Sequence, residues 1–264
     1  MAPLYDRIGV DYDATRRADP YIAARLMAHL RPVAGRHYLD AACGTGNYTA
    51  ALSRHGVQLT GIDISAQMIA SASKKMEAGP RPNWVVADVT ALPFEDRTIS
   101  GAICTLAIHH FTSLHTAFAE IGRVLAAEAR LVIFTSTPEQ MRHYWLCHYF
   151  PEMMARSAAQ MPSVDTVMSA LAAAGFRWLG SEPYHVQPSL KDLFLYSGKH
   201  QPEIYLDPRI RAGISSFANL ASEGEVAGGC AQLARDIKSE RIDDIVATAT
   251  VQSGGDYLFC IAGR

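Results

Sequence analysis

The stretch Tyr38-Leu39-Asp40-Ala41-Ala42-Cys43-Gly44-Thr45-Gly46 constrains this chain more than any other. It reads as a strand that runs into a glycine-bearing tight turn and then opens a helix. Glycine permits the positive φ that such a turn often needs, and its missing Cβ lets a ligand lie against the backbone. The helix expected from Asn47 to about His55, with Gly56 as its C-terminal stop, points its unpaired amides at whatever occupies the turn. A lone glycine turn is also ordinary turn chemistry, so its meaning depends on the neighbouring segments. The next of these is Gln58-Leu59-Thr60-Gly61-Ile62-Asp63-Ile64-Ser65, a second short buried strand ending in an acid 17 residues after Gly46. An acid at that place can accept both hydroxyls of a ribose. It can equally cap the next helix, although Ser65 is the better placed cap for a segment that looks helical to about Lys75.

With these residues in view, the chain resembles a class I S-adenosylmethionine-dependent methyltransferase, of the small-molecule group that includes quinone-biosynthesis methyltransferases. Four signatures arrive in order over residues 38–135. Leu39-Asp40 through Gly46 forms the cofactor turn and Gly61-Ile62-Asp63 carries the ribose acid. Ala87-Asp88-Val89 makes the adenine contact, and Leu106-Ala107-Ile108-His109-His110-Phe111 follows strand four. The resemblance implies an α/β fold: a Rossmann-like class I methyltransferase sheet of seven strands, the last antiparallel, with a helical cap insertion. It implies S-adenosylmethionine as cofactor, held by Asp40, Ala42, Cys43, Gly44 and Gly46 around the turn. Asp63 and Ile64 serve the ribose side, Asp88 and Val89 the adenine, and Leu106 lies past strand four. Met68, one turn into its helix, is either a further adenine contact or core. In the resembling family an N-terminal arm folds over the cofactor, with an aromatic ring near the sulfonium and an arginine near the carboxylate. Tyr12 and Arg16 take those places here, unless the arm is merely packing.

Two positions depart from the family pattern. Ala42 stands where the first glycine is usual and adds a methyl group near the cofactor's amino acid tail. Ala126-Ala127-Glu128-Ala129 replaces the Pro-Gly-Gly turn common before strand five. A dinucleotide dehydrogenase is the natural rival, but its G-x-G-x-x-G is absent, since Ala42 stands at the first glycine and Asn47 and Tyr48 follow the last.

Residues 1–36 read as an N-terminal arm and a helix from about Pro20 to Leu30, and residues 37–137 as the cofactor-binding core. Strands are expected at about His37 to Ala41, Gln58 to Ile62, Asn83 to Ala87, Ile99 to Leu106 and Arg130 to Thr135. Such alternating units build a parallel sheet whose ligands bind beyond the carboxyl ends of the strands. Gly46, Asp63, Asp88 and His109 all fall there. Residues 138–264 read as a lid helix, two final strands (Phe176 to Val186, Tyr257 to Ala262) and a substrate cap inserted at 187–256. The segment Pro138 to Ala159, rich in aromatic rings and imidazoles, reads as a lid or substrate wall.

In such a site the protein has to align an acceptor and exclude water. A base of near-neutral pKa helps, and histidine is the natural one. His109 and His110 at the pocket rim are candidates, as are His143 and Tyr144 on the lid; each is also readable as structural. His143 and His148 are five residues apart, which does not place two ligands on one helix face, and no metal is expected. The expected partner is a small, aromatic or apolar metabolite methylated on O, N or C. A methyltransferase-like protein with a regulatory or non-transfer role is the alternative, and a nucleic acid methyltransferase the third. A net charge of −2 argues against the last. Five cysteines without a CxxC pairing, and no signal peptide or membrane-length apolar run, point to a cytoplasmic protein; a monomer or homodimer is expected.

Overall fold

The computed structural model describes residues 15–75, 81–249 and 254–264; Tyr12 lies outside them. Asp19 accepts hydrogen bonds from the amides of Tyr21 and Ile22 and starts α1 (Pro20–Leu30) with proline at its head. Ile22, Ala23, Leu26 and Leu30 bury one stripe of it. Then come β1 (His37–Ala41), α2 (Asn47–Arg54), β2 (Gln58–Asp63), α3 (Ala66–Ser73), β3 (Asn83–Val86) and β4 (Ile99–Thr105). A 3₁₀ turn (Ile108–His110) leads to α4 (Leu114–Val124) and β5 (Leu125–Thr135). Ser65 and Ser113 cap α3 and α4 through their hydroxyls. β5 starts at Leu125 rather than near Arg130. The Ala-Ala-Glu-Ala stretch is drawn into the strand, with Glu128 at φ 64 and a register shift opposite Ile99 and Gly101.

The remaining elements are α5 (Pro138–Met141), α6 (Leu146–Tyr149), α7 (Pro151–Gln160), α8 (Val164–Ala173), β6 (Arg177–Tyr184), α9 (Pro208–Ala212), α10 (Ser215–Asn219), α11 (Glu223–Lys238), α12 (Arg241–Ala249) and β7 (Tyr257–Gly263). The seven strands lie in the order β3-β2-β1-β4-β5-β7-β6. β7 runs antiparallel to both its neighbours, and the other pairings are parallel. The chain order reverses between β1 and β4, which opens a crevice above their carboxyl ends.

Both faces of the sheet are covered, as a parallel sheet requires. One face packs Leu39, Ala41, Ile62, Phe118, Ile121 and Leu171. The other joins Ile22, Leu26, Tyr38 and Phe134 to Trp145, Tyr149, Phe150, Tyr196, Tyr205 and Phe217. The aromatic-rich segment after β5 and the insertion before β7 therefore share one core, and together they roof the crevice.

Candidate active site

The turn after β1 is held in a left-handed conformation. Ala42, Gly44 and Gly46 have φ of 61, 55 and 73. Alanine in this region costs about 1 kcal/mol, so Ala42 keeps the backbone a glycine would take and carries its methyl group at the cleft wall. The amide of Cys43 donates to the carbonyl of Ile62 at 2.7 Å and that of Gly46 to the carbonyl of Cys43 at 2.9 Å. No side chain caps α2, whose Ncap is Gly46. A Cβ on Gly46 would stand 2.2 Å from the Trp84 ring, and one on Gly61 would stand 2.6 Å from it. The indole thus lies across both glycines and props the turn from β3.

Asp63 joins the two readings open for it. One oxygen accepts from the amide of Gly44 and the other from that of Ser65, both at 2.9 Å, while the carboxylate lines the cleft. On the same side lie Cys43, Ile64, Met68, Asp88 and Val89. Ile64 is 56% exposed, an apolar surface offered at the rim. Asp88 accepts from the amide and hydroxyl of Thr90, both at 2.8 Å, which fixes its loop.

Asp40 does not line the cleft. It sits 1% exposed beneath the turn and accepts the Thr49 hydroxyl at 2.5 Å, while its Oδ1 has no partner. Burial pushes its pKa from the usual 3.8 up to about 7. In this structure it supports the turn from beneath and does not face the cleft.

Arg16 lines the cleft, and its guanidinium is gripped by Asp192, Nε to Oδ1 at 2.5 Å. The Tyr48 hydroxyl donates to Asp192 Oδ2 at 3.1 Å, and Asn47 Nδ2 donates to the Arg16 carbonyl at 3.1 Å. The first turn of α2 thereby ties the N-terminal segment to the cap over the cofactor turn. Lys75 closes the same corner by donating to Thr45 and Asn47 at 2.7 and 2.8 Å.

Beyond β4 the cleft continues past Leu106, itself at φ 53, to His109, His110 and Phe111. The two imidazoles lie 3.9 Å apart between centroids. Burial holds both pKa values low, His109 at about 3 with help from His110, and His110 at about 4. His109 Nδ1 is buried without a hydrogen-bond partner. The facing wall is Met141, Ser157, Gln160 and Met161, with Phe194, Ile214, Ser215, Ser216 and Tyr257 from the cap and β7.

His143 and Tyr144 are not brought to this cleft. His143 is exposed on the outer surface of the turn after α5. Tyr144 is buried, stacked on Tyr196 at 3.9 Å, with its hydroxyl bonded to Ser136 and to the Asp256 carbonyl. His148 is likewise exposed and pairs with Gln232. The aromatic rings of the segment read as a lid or substrate wall are core, packed on Tyr196, Tyr205 and Phe217, while its Met141 and Ser157 line the cleft. The sequence reading missed Trp84, Tyr48, Asp192 and Ser157. Tyr48 was in reach, being in the first turn of the helix after the glycine turn; nothing local marks Asp192 or Ser157.

Residues 39–133, from β1 into β5, match the family model of the methyltransferase domain. The chain is similar to the O-methyltransferase cnsE of Penicillium expansum, 35% identical over 159 residues covering 56% of this chain and 54% of that protein. It therefore spans about half the length of that relative. The O-methyltransferase rstn1 of Aspergillus nomiae is 30% identical over 178 residues, 62% of this chain and 72% of the relative. Among solved structures, a putative methyltransferase from an antibiotic biosynthesis pathway of Anabaena variabilis superposes with a TM-score of 0.84 at 28% identity, over 95% of this chain and 99% of the other.

Proposed function

This chain belongs to the class I S-adenosylmethionine-dependent methyltransferases, and from that premise we propose that it methylates an oxygen, nitrogen or carbon of a small, aromatic or apolar metabolite. One observation carries the proposal. The cleft crosses the β1/β4 reversal with the glycine turn and Asp63 in one half and a cap-walled chamber in the other. S-adenosylmethionine is the cofactor and brings a methyl group activated on a sulfonium.

The residues present fit it. The left-handed turn and the open amides of α2 suit its amino acid tail. Asp63, already fixed by Gly44 and Ser65, suits the ribose hydroxyls, while Ile64, Met68 and Val89 offer apolar contact to the base and Asp88 a hydrogen-bond acceptor. Arg16, held by Asp192, stands beside the turn.

In the second half, His109 and His110 stay uncharged at neutral pH. Uncharged rings place no positive charge beside a cationic donor, and each keeps a lone pair for a hydrogen bond. The cap excludes water and orients the acceptor. Among the described residues of the cleft, Arg16 is the one arginine or lysine, and Asp192 pairs with it. The walls thus favour an acceptor without phosphate groups, which also speaks against nucleic acid.

Calorimetric titration with S-adenosylhomocysteine, with NAD as control, tests this reading. Micromolar binding of the first and none of the second is expected. Asp63→Ala is expected to weaken binding by about 2 kcal/mol, roughly thirtyfold, because two ribose hydroxyls lose their acceptor. An unchanged affinity in the variant would displace the cofactor from this cleft. Cofactor binding with no acceptor methylated across a metabolite screen would favour a regulatory or non-transfer role.

A further inference from the structure

Residues 185–196 leave β6 and lead into the cap as neither helix nor strand. With no ladder or helical turn to hold it, such a strap is placed by individual contacts. Its middle is nevertheless buried, Asp192 being 2% exposed and Phe194 3%. Phe194 and Leu195 wall the acceptor chamber, and the Phe194 ring meets that of Tyr257, another wall residue, at 4.7 Å. The contacts that hold Asp192 come from the cofactor half of the cleft.

Three successive residues of the strap are tied to residues 15–19. Lys191 donates its amide to Asp19 Oδ2 at 3.0 Å, Asp192 accepts from Arg16 Nε at 2.5 Å, and Leu193 donates its amide to the Thr15 carbonyl at 3.1 Å. Thr15 lies against Gly213, where a Cβ would overlap its hydroxyl oxygen. The first turn of α2 grips the same cluster: Tyr48 donates its hydroxyl to Asp192 at 3.1 Å, and Asn47 donates to the Arg16 carbonyl at 3.1 Å while accepting from Lys75 at 2.8 Å. Arg16, Thr45, Asn47 and Tyr48 line the cleft at the glycine turn, the end suited to the amino acid tail of the cofactor. Asp192 is thus one carboxylate shared by the helix after the turn, the N-terminal segment and the strap. In a buried network of this kind each bond depends on the others being made.

We propose that Asp192 is a positioning residue that couples the two halves of the cleft. A cofactor whose tail is seated at the first turn of α2 holds this clasp shut, and the clasp sets Phe194 and Leu195 in place for the acceptor. The inference rests on the methyl-transfer reading of the cleft. It adds that the acceptor chamber is firm only once the donor is bound, and that the strap responds to the tail of the donor rather than to its adenosine. A ligand shifts such an equilibrium only through contacts that differ between the two states. Here those are the contacts of the tail with residues that the clasp orients.

Hydrogen exchange of wild type, Asp192→Asn and Tyr48→Phe tests this, each without ligand, saturated with S-adenosylhomocysteine, and saturated with 5′-methylthioadenosine, an adenosine thioether without the amino acid. In wild type, S-adenosylhomocysteine is expected to slow exchange at residues 43–50 and also at 190–196, the latter by roughly tenfold, an ordinary size for coupling between sites. 5′-Methylthioadenosine should protect residues 61–65 and leave 190–196 unchanged. In Asp192→Asn the protection by S-adenosylhomocysteine should stop at the turn. Tyr48→Phe keeps its ring and loses only the hydroxyl, and it should shrink the effect at 190–196, so the test stands even where Asp192→Asn does not fold.

A purely structural Asp192 has a different signature. The strap of the variant would exchange faster by the same factor with and without ligand, and the gain on binding would survive. That result, an unprotected strap in wild type, or equal protection of the strap by both compounds would overturn the inference and leave the methyl-transfer reading standing. A wild type that takes up neither compound would remove that reading and the inference with it.

Discussion

Asp40 keeps a carboxyl group in a dry place under the cofactor turn, and its proton answers to pH in the direction opposite to that of His109 and His110. Its folded pKa, about 7, lies above the usual 3.8, so the folded state binds the extra proton. The stability this gives is complete below about pH 4 and is lost as pH rises through 7. His109 and His110 have folded values of about 3 and 4 against the usual 6.5, so the unfolded state binds the extra protons. Their contribution is present above 6.5 and lost as pH falls toward 4. Asp40→Asn removes only the first effect and keeps a partner for Thr49. The variant should therefore gain on the wild type as pH is raised from 5 to 7.5, read as urea midpoints at the two values. A constant difference between them would show a carboxylate ionised throughout. At this scale the sequence showed Ala42 as a departure and placed its methyl near the ligand. It gave no sign that the residue would also bear a left-handed backbone, or that Leu106 would do the same.

At the scale of elements, the turn depends on β3. Trp84 lies over Gly46 and Gly61, so the glycine requirement has two causes, the backbone angle and the ring. Gly46→Ala should cost more than the roughly 1 kcal/mol of a left-handed alanine. In a Trp84→Ala background the same change should cost less, because the space is then open. Chemical denaturation of the four proteins of this cycle checks it, and additive losses would mean that the ring plays no part. The strand, turn and helix around Gly46 were legible because their signals are local: apolar runs, glycines and capping residues at fixed offsets. The segment after β5 was not legible in the same way. A run such as His143, Tyr144, Trp145, His148 and Tyr149 reads alike whether its rings face a ligand or a core. The choice is made by Tyr196, Tyr205 and Phe217, which arrive much later in the chain.

Across the whole molecule, the roof is fastened to the sheet by buried polar contacts distant in sequence. Lys199 meets both oxygens of Asp256, at 2.9 and 2.8 Å, and both residues are 8% exposed. Asp256 also accepts from the amide of Val186, and its carbonyl receives the Tyr144 hydroxyl. Lys199→Met should cost about 3 kcal/mol, since it leaves a buried carboxylate without its counter-charge. Adding Asp256→Asn should recover part of that loss in urea unfolding; a double variant no better than the sum of the singles would deny the coupling. Arg16 and Asp192, 176 positions apart, fasten the other side. No spacing rule joins residues so far apart, which is why the sequence placed Arg16 near the cofactor and left its partner unseen. Among the described residues no helix is long and apolar enough to cross a membrane.

The place of β7 bears on how the chain is made. It fills the slot between β5 and β6, pairing with each along its length. On the ribosome, β6 emerges without a sheet neighbour, and β5 keeps a bare edge while the cap is being synthesised. Unpaired edges of this kind invite association with other chains. Nascent copies thus carry an unfinished half-sheet until residues 257–263 leave the exit tunnel, and a product stalled before them has no means of closing it.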